Sequence, residues 1–570
     1  MKTVGCLQLS NNGKILYNCL DKNVVSVKIP SKVNMIERDA FKDCTSLSSV
    51  EIPGSVGWIG ERAFSGCTSL TSLVIPRSVI KIMDGAFSGC TSLSAVVIPG
   101  SVTKIMDGVF SGCTNLSAVE IPKSVTQIGE RAFEGCSNLS SVEIPCGVTE
   151  IGERAFFGCT NLTSVEIASG VAVIGSGAFS GCASLTSVVI PSSITMIERK
   201  AFTGCTNLRR FVVDNDNSNY CDIDGVLYTK DKATLVSVPG RFDGIFIIPN
   251  FVTRICNSAF SGCSSLTSVV IPNSVEVIEW MAFSDCTSLI SVEIPKSVVI
   301  IGGHAFSNCI SLTSLEIPSG VTWIKDYTFF GCTNLISVEI PNSVTVIGSG
   351  AFGGCTSLTQ LEIPSSVTHI GMFAFECCKS ITSVEIPSRV TEMGWGVFCG
   401  CTSLTSVEIP SSVVKIELKA FSGCISLTSV KIPCYVTMIG ERAFFGCTSL
   451  TRVEIPYGVS VIGKRAFSGC TSLSMVEIPS SVTMIGECAF EGCTSLPESV
   501  INLISRISDD SCYDNDDNDD YDDYDNYHVH EDRPTYEKYR GSYAQDVLGW
   551  SDDDIDTVLD GDPDAYWNID

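Results

Sequence analysis

From residue 24 to residue 496 the apolar positions of the chain fall in one recurring frame. Its commonest form reads L-T-S-V-E-I-P-S-S-V-T-x-I-G-E-R-A-F-S-G-C-T-S. Within L-T-S-V-E-I the apolar residues stand first, fourth and sixth; V-E-I alternates as a half-buried strand does, and the proline ends it. Val and Ile three apart follow, then Gly, Ala-Phe and a Gly-Cys-Thr-Ser turn. Cysteine marks the period: Cys44, Cys67, Cys90 and onward to Cys205, then Cys263 and every 23 residues to Cys493, nineteen units in all. Three places before each of these cysteines stands a phenylalanine, from Phe41 to Phe490, and 19 of the 27 phenylalanines lie on that ladder. The one irregular step, Cys205 to Cys263, is a period plus an insertion of 35 residues. A unit this small cannot bury its own apolar face, so successive units must stack into one continuous core. The pattern predicts a solenoid of about 20 coils, on the order of 100 Å long at roughly 4.8 Å between parallel strands.

Different patterns stand at the ends and in the insertion. Cys6–Ser10 and Ile15–Leu20 flank Asn11-Asn12-Gly13, a tight-turn signal, so residues 1–23 are expected to form a capping hairpin over the first coil. Pro497 breaks the strand pattern, and Val500, Ile501, Ile504 and Ile507 recur at helical spacing, which predicts a capping helix over 497–508. In the insertion, about 214–243, the apolar runs Val226–Tyr228 and Leu235–Val238 bracket Lys230-Asp231-Lys232 and read as a hairpin. Its G-V-L-Y and L-V-S-V-P echo G-K-I-L-Y and V-V-S-V-K-I-P near the N-terminus, so the array is expected to be two blocks, each opened by a similar hairpin.

The strand L-x-x-V-x-I-P, the following V-x-x-I and the closing A-F-x-x-C resemble the BspA-like class of leucine-rich repeats. Leu404 to Pro410 with Val413, Ile416, Ala420, Phe421 and Cys424 is one example, and the resemblance spans residues 24–496. It implies a leucine-rich repeat right-handed solenoid, β-rich with few short helices and a parallel sheet on its concave side. It also implies a non-enzymatic interaction scaffold or adhesin-like binder, since proteins of that class are mostly surface or secreted binders of host or partner proteins. The first residues, MKTVGCLQLSNNGKILYN, hold no apolar stretch long enough for a secretory signal, and no run approaches the roughly 18–20 apolar residues of a membrane helix. Read from the residues alone, the expectation is a cytoplasmic protein without membrane insertion; the resemblance points instead to the cell surface or to secretion.

Composition sharpens this picture. Of 570 residues 44% are apolar and 18% charged, which excludes wholesale disorder. The net charge of −26 is concentrated at the end: residues 501–570 hold 22 Asp and Glu against 4 Lys and Arg, leaving a nearly balanced body of −8. Such a chain should repel nucleic acid and anionic membrane. Residues 509–532 are almost devoid of aliphatic side chains and are expected to form an acidic disordered linker, with loose divalent-cation binding at most. Residues 533–570 are expected to carry a short helical motif flanked by Trp550, Tyr566 and Trp567, serving either as a docking element or as a second cap.

The outward position between the two inward strand residues is the candidate binding surface. On six consecutive coils it holds Glu293, Glu316, Glu339, Glu362, Glu385 and Glu408. Carboxylates stacked at strand spacing repel by roughly 1 kcal/mol per neighbouring pair. The column is either a device for solubility or an acidic stripe, flanked by serines, that captures a basic protein segment. An acidic cation-binding role for the stripe and tail is the alternative. The same position is apolar at Val189, Val212, Ile247 and Val270, which the inserted hairpin is expected to cover; otherwise they form the dry centre of a partner interface. The ladder cysteines are expected to be buried free thiols, with Cys256, Cys434 and Cys488 as candidate exposed ones. No catalytic residue, metal site or cofactor is expected: His304 and His369 stand singly in separate coils, His528 and His530 lie in the acidic tail, and no phosphate-cradling glycine loop occurs.

Overall fold

The computed structural model describes residues 1–507. The array is a parallel β-solenoid in which each coil contributes three hydrogen-bonded rungs rather than the single strand legible in the sequence. The first rung is the V-E-I strand, seen for instance as Ser141–Ile144 against Ser164–Ile167, with Val142 opposite Val165 and Glu143 opposite Glu166. The second is only two residues long, at the Thr-x-Ile segment: Gln127–Ile128 pairs with Glu150–Ile151, which pairs with Val173–Ile174. A two-residue rung is too short to show a period, so the sequence pattern does not reveal it.

The third rung is not extended. Arg131, Phe133 and Gly135 donate their N–H groups to the carbonyls of Glu153, Ala155 and Phe157 on the next coil, at 2.7–2.8 Å. Arg131 and Gly135 have positive φ, 52° and 69°. Left-handed residues at both ends of the three-residue stretch 132–134 accompany alternate amides that point to the next coil, so a tight turn can still bond to its neighbour. Closure of each coil therefore depends on conformations that L-residues adopt reluctantly.

Between the rungs the side chains stack in columns. The ladder phenylalanines lie nearly parallel with ring centroids 4.6–5.7 Å apart, from Phe41 to Phe202 and again from Phe260 to Phe490. The ladder cysteines are free and buried, and most of their thiols donate to a carbonyl 26 residues earlier, as Cys67 does to Phe41 and Cys332 to Phe306, at 3.1–3.2 Å. Serine hydroxyls after the strand proline do the same across coils: Ser124 Oγ donates to the Val102 carbonyl at 2.7 Å. Many of the polar groups turned inward thus find a partner on the adjacent coil.

The N-terminal strands Lys2–Val4, Leu7–Leu9 and Ile15–Cys19 form an antiparallel meander, and Ile15–Cys19 then pairs in parallel with the second rung of the first coil at Met35–Ile36. The insertion repeats this topology. Tyr220–Ile223, Val226–Thr229 and Thr234–Ser237 form a meander whose last strand pairs in parallel with Arg254–Ile255. The buried residues divide at this point into two cores. Leu227 belongs with the first block, whereas Val226 and Tyr228 belong with the second. The helix Glu498–Ile507 packs Val500, Ile504 and Ile507 against the second core. Ile501, expected on that face, is 47% exposed. No helix among the described residues is long and apolar enough to cross a membrane.

Candidate functional site

The first rung fixes which side chains face outward. In strands Ser291–Glu293, Ser314–Glu316, Ser383–Glu385 and Ser406–Glu408 the central Val or Leu is buried and both flanking residues are exposed. Glu339 and Glu362 are exposed in the same way. The structure aligns Glu316 directly with Glu339, and Glu385 with Glu408. It does not pair the strands at the steps from Glu293 to Glu316, Glu339 to Glu362 or Glu362 to Glu385. At Glu362 no strand forms, and only an isolated bridge joins Ser337 to Gln360. In the neighbouring coils a basic residue enters the column. Glu408 aligns with Lys431 and Lys431 with Glu454, and there five successive strands form one unbroken sheet. Charge does not set these breaks, since Glu143 aligns with Glu166 and Glu454 with Glu477 in continuous pairings, but the stacked carboxylates of the column still repel one another.

The apolar positions behave otherwise than expected. Val189, Val212, Ile247 and Val270 are 51%, 39%, 69% and 49% exposed, so the inserted hairpin does not cover them. The hairpin's turn goes to the strand edge instead of the sheet face: the N–H of Phe211 donates to the Gly225 carbonyl, and that of Val213 to Asp222 Oδ1, both at 2.8 Å. Ile245, two residues before Ile247, is also exposed, as are Arg209 and Arg210 beside Val212. These three escaped the sequence reading. The signal for the two arginines is the replacement of Thr-Ser by Arg-Arg in L-R-R-F-V-V.

Among candidate thiols, Cys434 is exposed, as is Cys146, which the sequence reading passed over. Cys256 is not an exposed thiol; burial and the neighbouring Glu279 push it up to about 12. Cys488 is half-buried. His304 stacks on Tyr327 with ring centroids 4.8 Å apart. His369 accepts or donates a hydrogen bond with Thr368 through Nδ1 at 2.7 Å, and its Nε2 lies 3.6 Å from Glu392 on an exposed surface. Among the described residues no three His, Cys, Asp or Glu side chains converge as a metal-binding group. Trp550, Tyr566 and Trp567, with the acidic linker and terminal motif, lie outside the described residues.

The stacked parallel rungs, the inward leucine and valine ladder and the exposed strand face define the leucine-rich-repeat class of solenoid. The model of the BspA type leucine rich repeat region (six copies) matches residues 14–140, 126–222, 245–338, 322–440 and 414–518, and the chain belongs to that family. Similar solved structures include a leucine rich cell surface protein from Faecalibacterium prausnitzii, 25% identical over 84% of this chain and 94% of that one, TM-score 0.32. A leucine-rich repeat protein from Bacteroides ovatus is 24% identical over 89% and 97% of the two chains, TM-score 0.26. The pneumococcal vaccine antigen PcpA is 16% identical over 89% and 97%, TM-score 0.35. Comparison with curated proteins finds no match.

Proposed function

We propose that the protein is a non-enzymatic protein-binding scaffold that uses the outward face of its first-rung sheet, with Glu293, Glu316, Glu339, Glu362, Glu385 and Glu408 as a stripe for a basic segment of a partner. The observation that carries this reading is the in-register exposure of carboxylates, Glu316 on Glu339 and Glu385 on Glu408. A lysine- or arginine-rich segment laid along the column relieves the repulsion between its stacked carboxylates. The gain appears only on binding.

The test is fluorescence anisotropy of a Lys-rich peptide titrated with the full chain at low and high salt. Binding is expected to weaken steeply with salt. The triple substitution Glu339→Lys, Glu362→Lys and Glu385→Lys is expected to weaken it by at least about tenfold. Unchanged affinity in that variant would reduce the stripe to a solubility device. Adhesin-like use further requires the array to lie outside the cell. Protease shaving of intact cells is expected to remove the protein while sparing an internal marker; retention would confine the scaffold to the interior.

A further inference from the structure

The outward face changes character where the array is interrupted. Most coils carry Thr or Ser at the two places before the inward valine, but the coil at 208–213 presents Arg209 and Arg210 there. In register, Arg210 lies opposite Ser187 and Val212 opposite Val189. Across the interruption Ile245 lies opposite Ser268 and Ile247 opposite Val270. All five aliphatic side chains, Val189, Val212, Ile245, Ile247 and Val270, are exposed. Strand Gly244–Ile247 is the edge of its sheet, because Phe211 and Val213 give their N–H groups to the inserted turn and not to it. The N–H of Ile248 bonds forward to the Val270 carbonyl, and alternate residues of a strand bond to opposite sides, so the backbone groups of Ile245 and Ile247 turn toward the open edge.

Charge selects the occupant. Arg209 and Arg210 are exposed and form no ion pair among the described residues, whereas Lys28 and Arg452 on other strands of this face pair with Glu51 and Glu454. Two uncompensated guanidiniums in a chain of net charge −26 call for carboxylates from outside. Glu166 and Glu293 bound the zone on the next coils. A long polyanion such as nucleic acid would meet repulsion at both ends, and a short acidic segment would not.

We propose that this joint is a docking site for an acidic polypeptide segment of a partner protein that also bears aliphatic or aromatic side chains. Its carboxylates meet Arg209 and Arg210, and its apolar side chains cover Val212, Ile245, Ile247 and the flanking valines. The site adjoins the end of the glutamate stripe at Glu293, which lies opposite Val270, and is opposite to the stripe in charge.

The test uses two short fluorescent peptides of alternating polar and leucine positions, one with Glu and one with Lys at the polar places, titrated against the full chain. The Glu peptide is expected to bind the wild type, and the double substitution Arg209→Thr and Arg210→Ser, which installs residues common at these places, is expected to weaken it by at least about tenfold. Ile247→Thr, equally exposed and therefore compatible with folding, is expected to weaken it as well. The Glu339→Lys, Glu362→Lys, Glu385→Lys variant is expected to retain it, so that failure of this site and failure of the stripe are distinguishable. Undiminished binding of the Glu peptide to the Arg209→Thr, Arg210→Ser variant would overturn the proposal. So would a dimer that Ile247→Thr dissociates, which would assign the surface to a second copy of the chain.

Discussion

All nineteen residues two places before the ladder phenylalanines have φ between 50° and 60°, yet fourteen of them, among them Arg154, Met281, Phe373 and Lys419, carry a side chain. The left-handed conformation costs an L-residue about 1–2 kcal/mol. The amide it aims at the next coil offsets part of that cost, as with Lys419 N–H on the Glu441 carbonyl at 2.9 Å. Lys419→Gly is therefore expected to be more stable than Lys419→Ala by about 1 kcal/mol in urea unfolding, and equal stability would contradict the assigned strain. Because glycine stands at only five of these places, the turn was not legible in the residue pattern; the glycine before most of the ladder cysteines was. The thiols supply a second test. Burial pushes Cys67, Cys182, Cys332 and Cys447 from their ordinary value of 9 up to about 12. The fold holds the neutral thiol, so this stability is complete below pH 9 and is lost as pH rises toward 12, at up to about 1.4 kcal/mol per pH unit for each thiol. Urea midpoints should fall steadily above pH 9, less steeply in Cys332→Ala, and a flat profile would rule the mechanism out.

Among the elements, the two meanders were legible because their turns, Asn-Asn-Gly and Lys-Asp-Lys, separate short alternating runs. What the sequence could not show was where the inserted turn docks. Strand alternation alone places Val212 and Ile247 outward, and only the bonds from Phe211 and Val213 reveal that the turn sits at the edge and leaves them bare. Strand Val226–Thr229 divides its side chains between the two cores. Leu227→Ala is expected to cost about 2–5 kcal/mol and to do so mainly in the first block, whereas Tyr228→Ala acts on the second. Hydrogen exchange followed by mass spectrometry, coil by coil, would register this division; a uniform loss of protection on both sides would refute it.

On the scale of the whole array, contacts run from each coil to its neighbours, so stability is approximately a sum of nearest-neighbour terms. The division of the buried side chains at the insertion makes two such sums. Calorimetry of the full chain is expected to resolve two overlapping transitions, with Leu227→Ala moving one of them; a single two-state transition would show that the meander couples the blocks completely.

The equal offsets of phenylalanine, thiol and left-handed residue from coil to coil also make the polypeptide divisible. Excising one whole period, residues 298–320 for example, would bring matching rungs together and leave every downstream ring above its proper partner, whereas a cut a few residues shorter would put the next aromatic where a turn belongs. Length in this protein is therefore a quantity that gain or loss of whole periods can raise or lower in fixed steps, without designing a new interior each time.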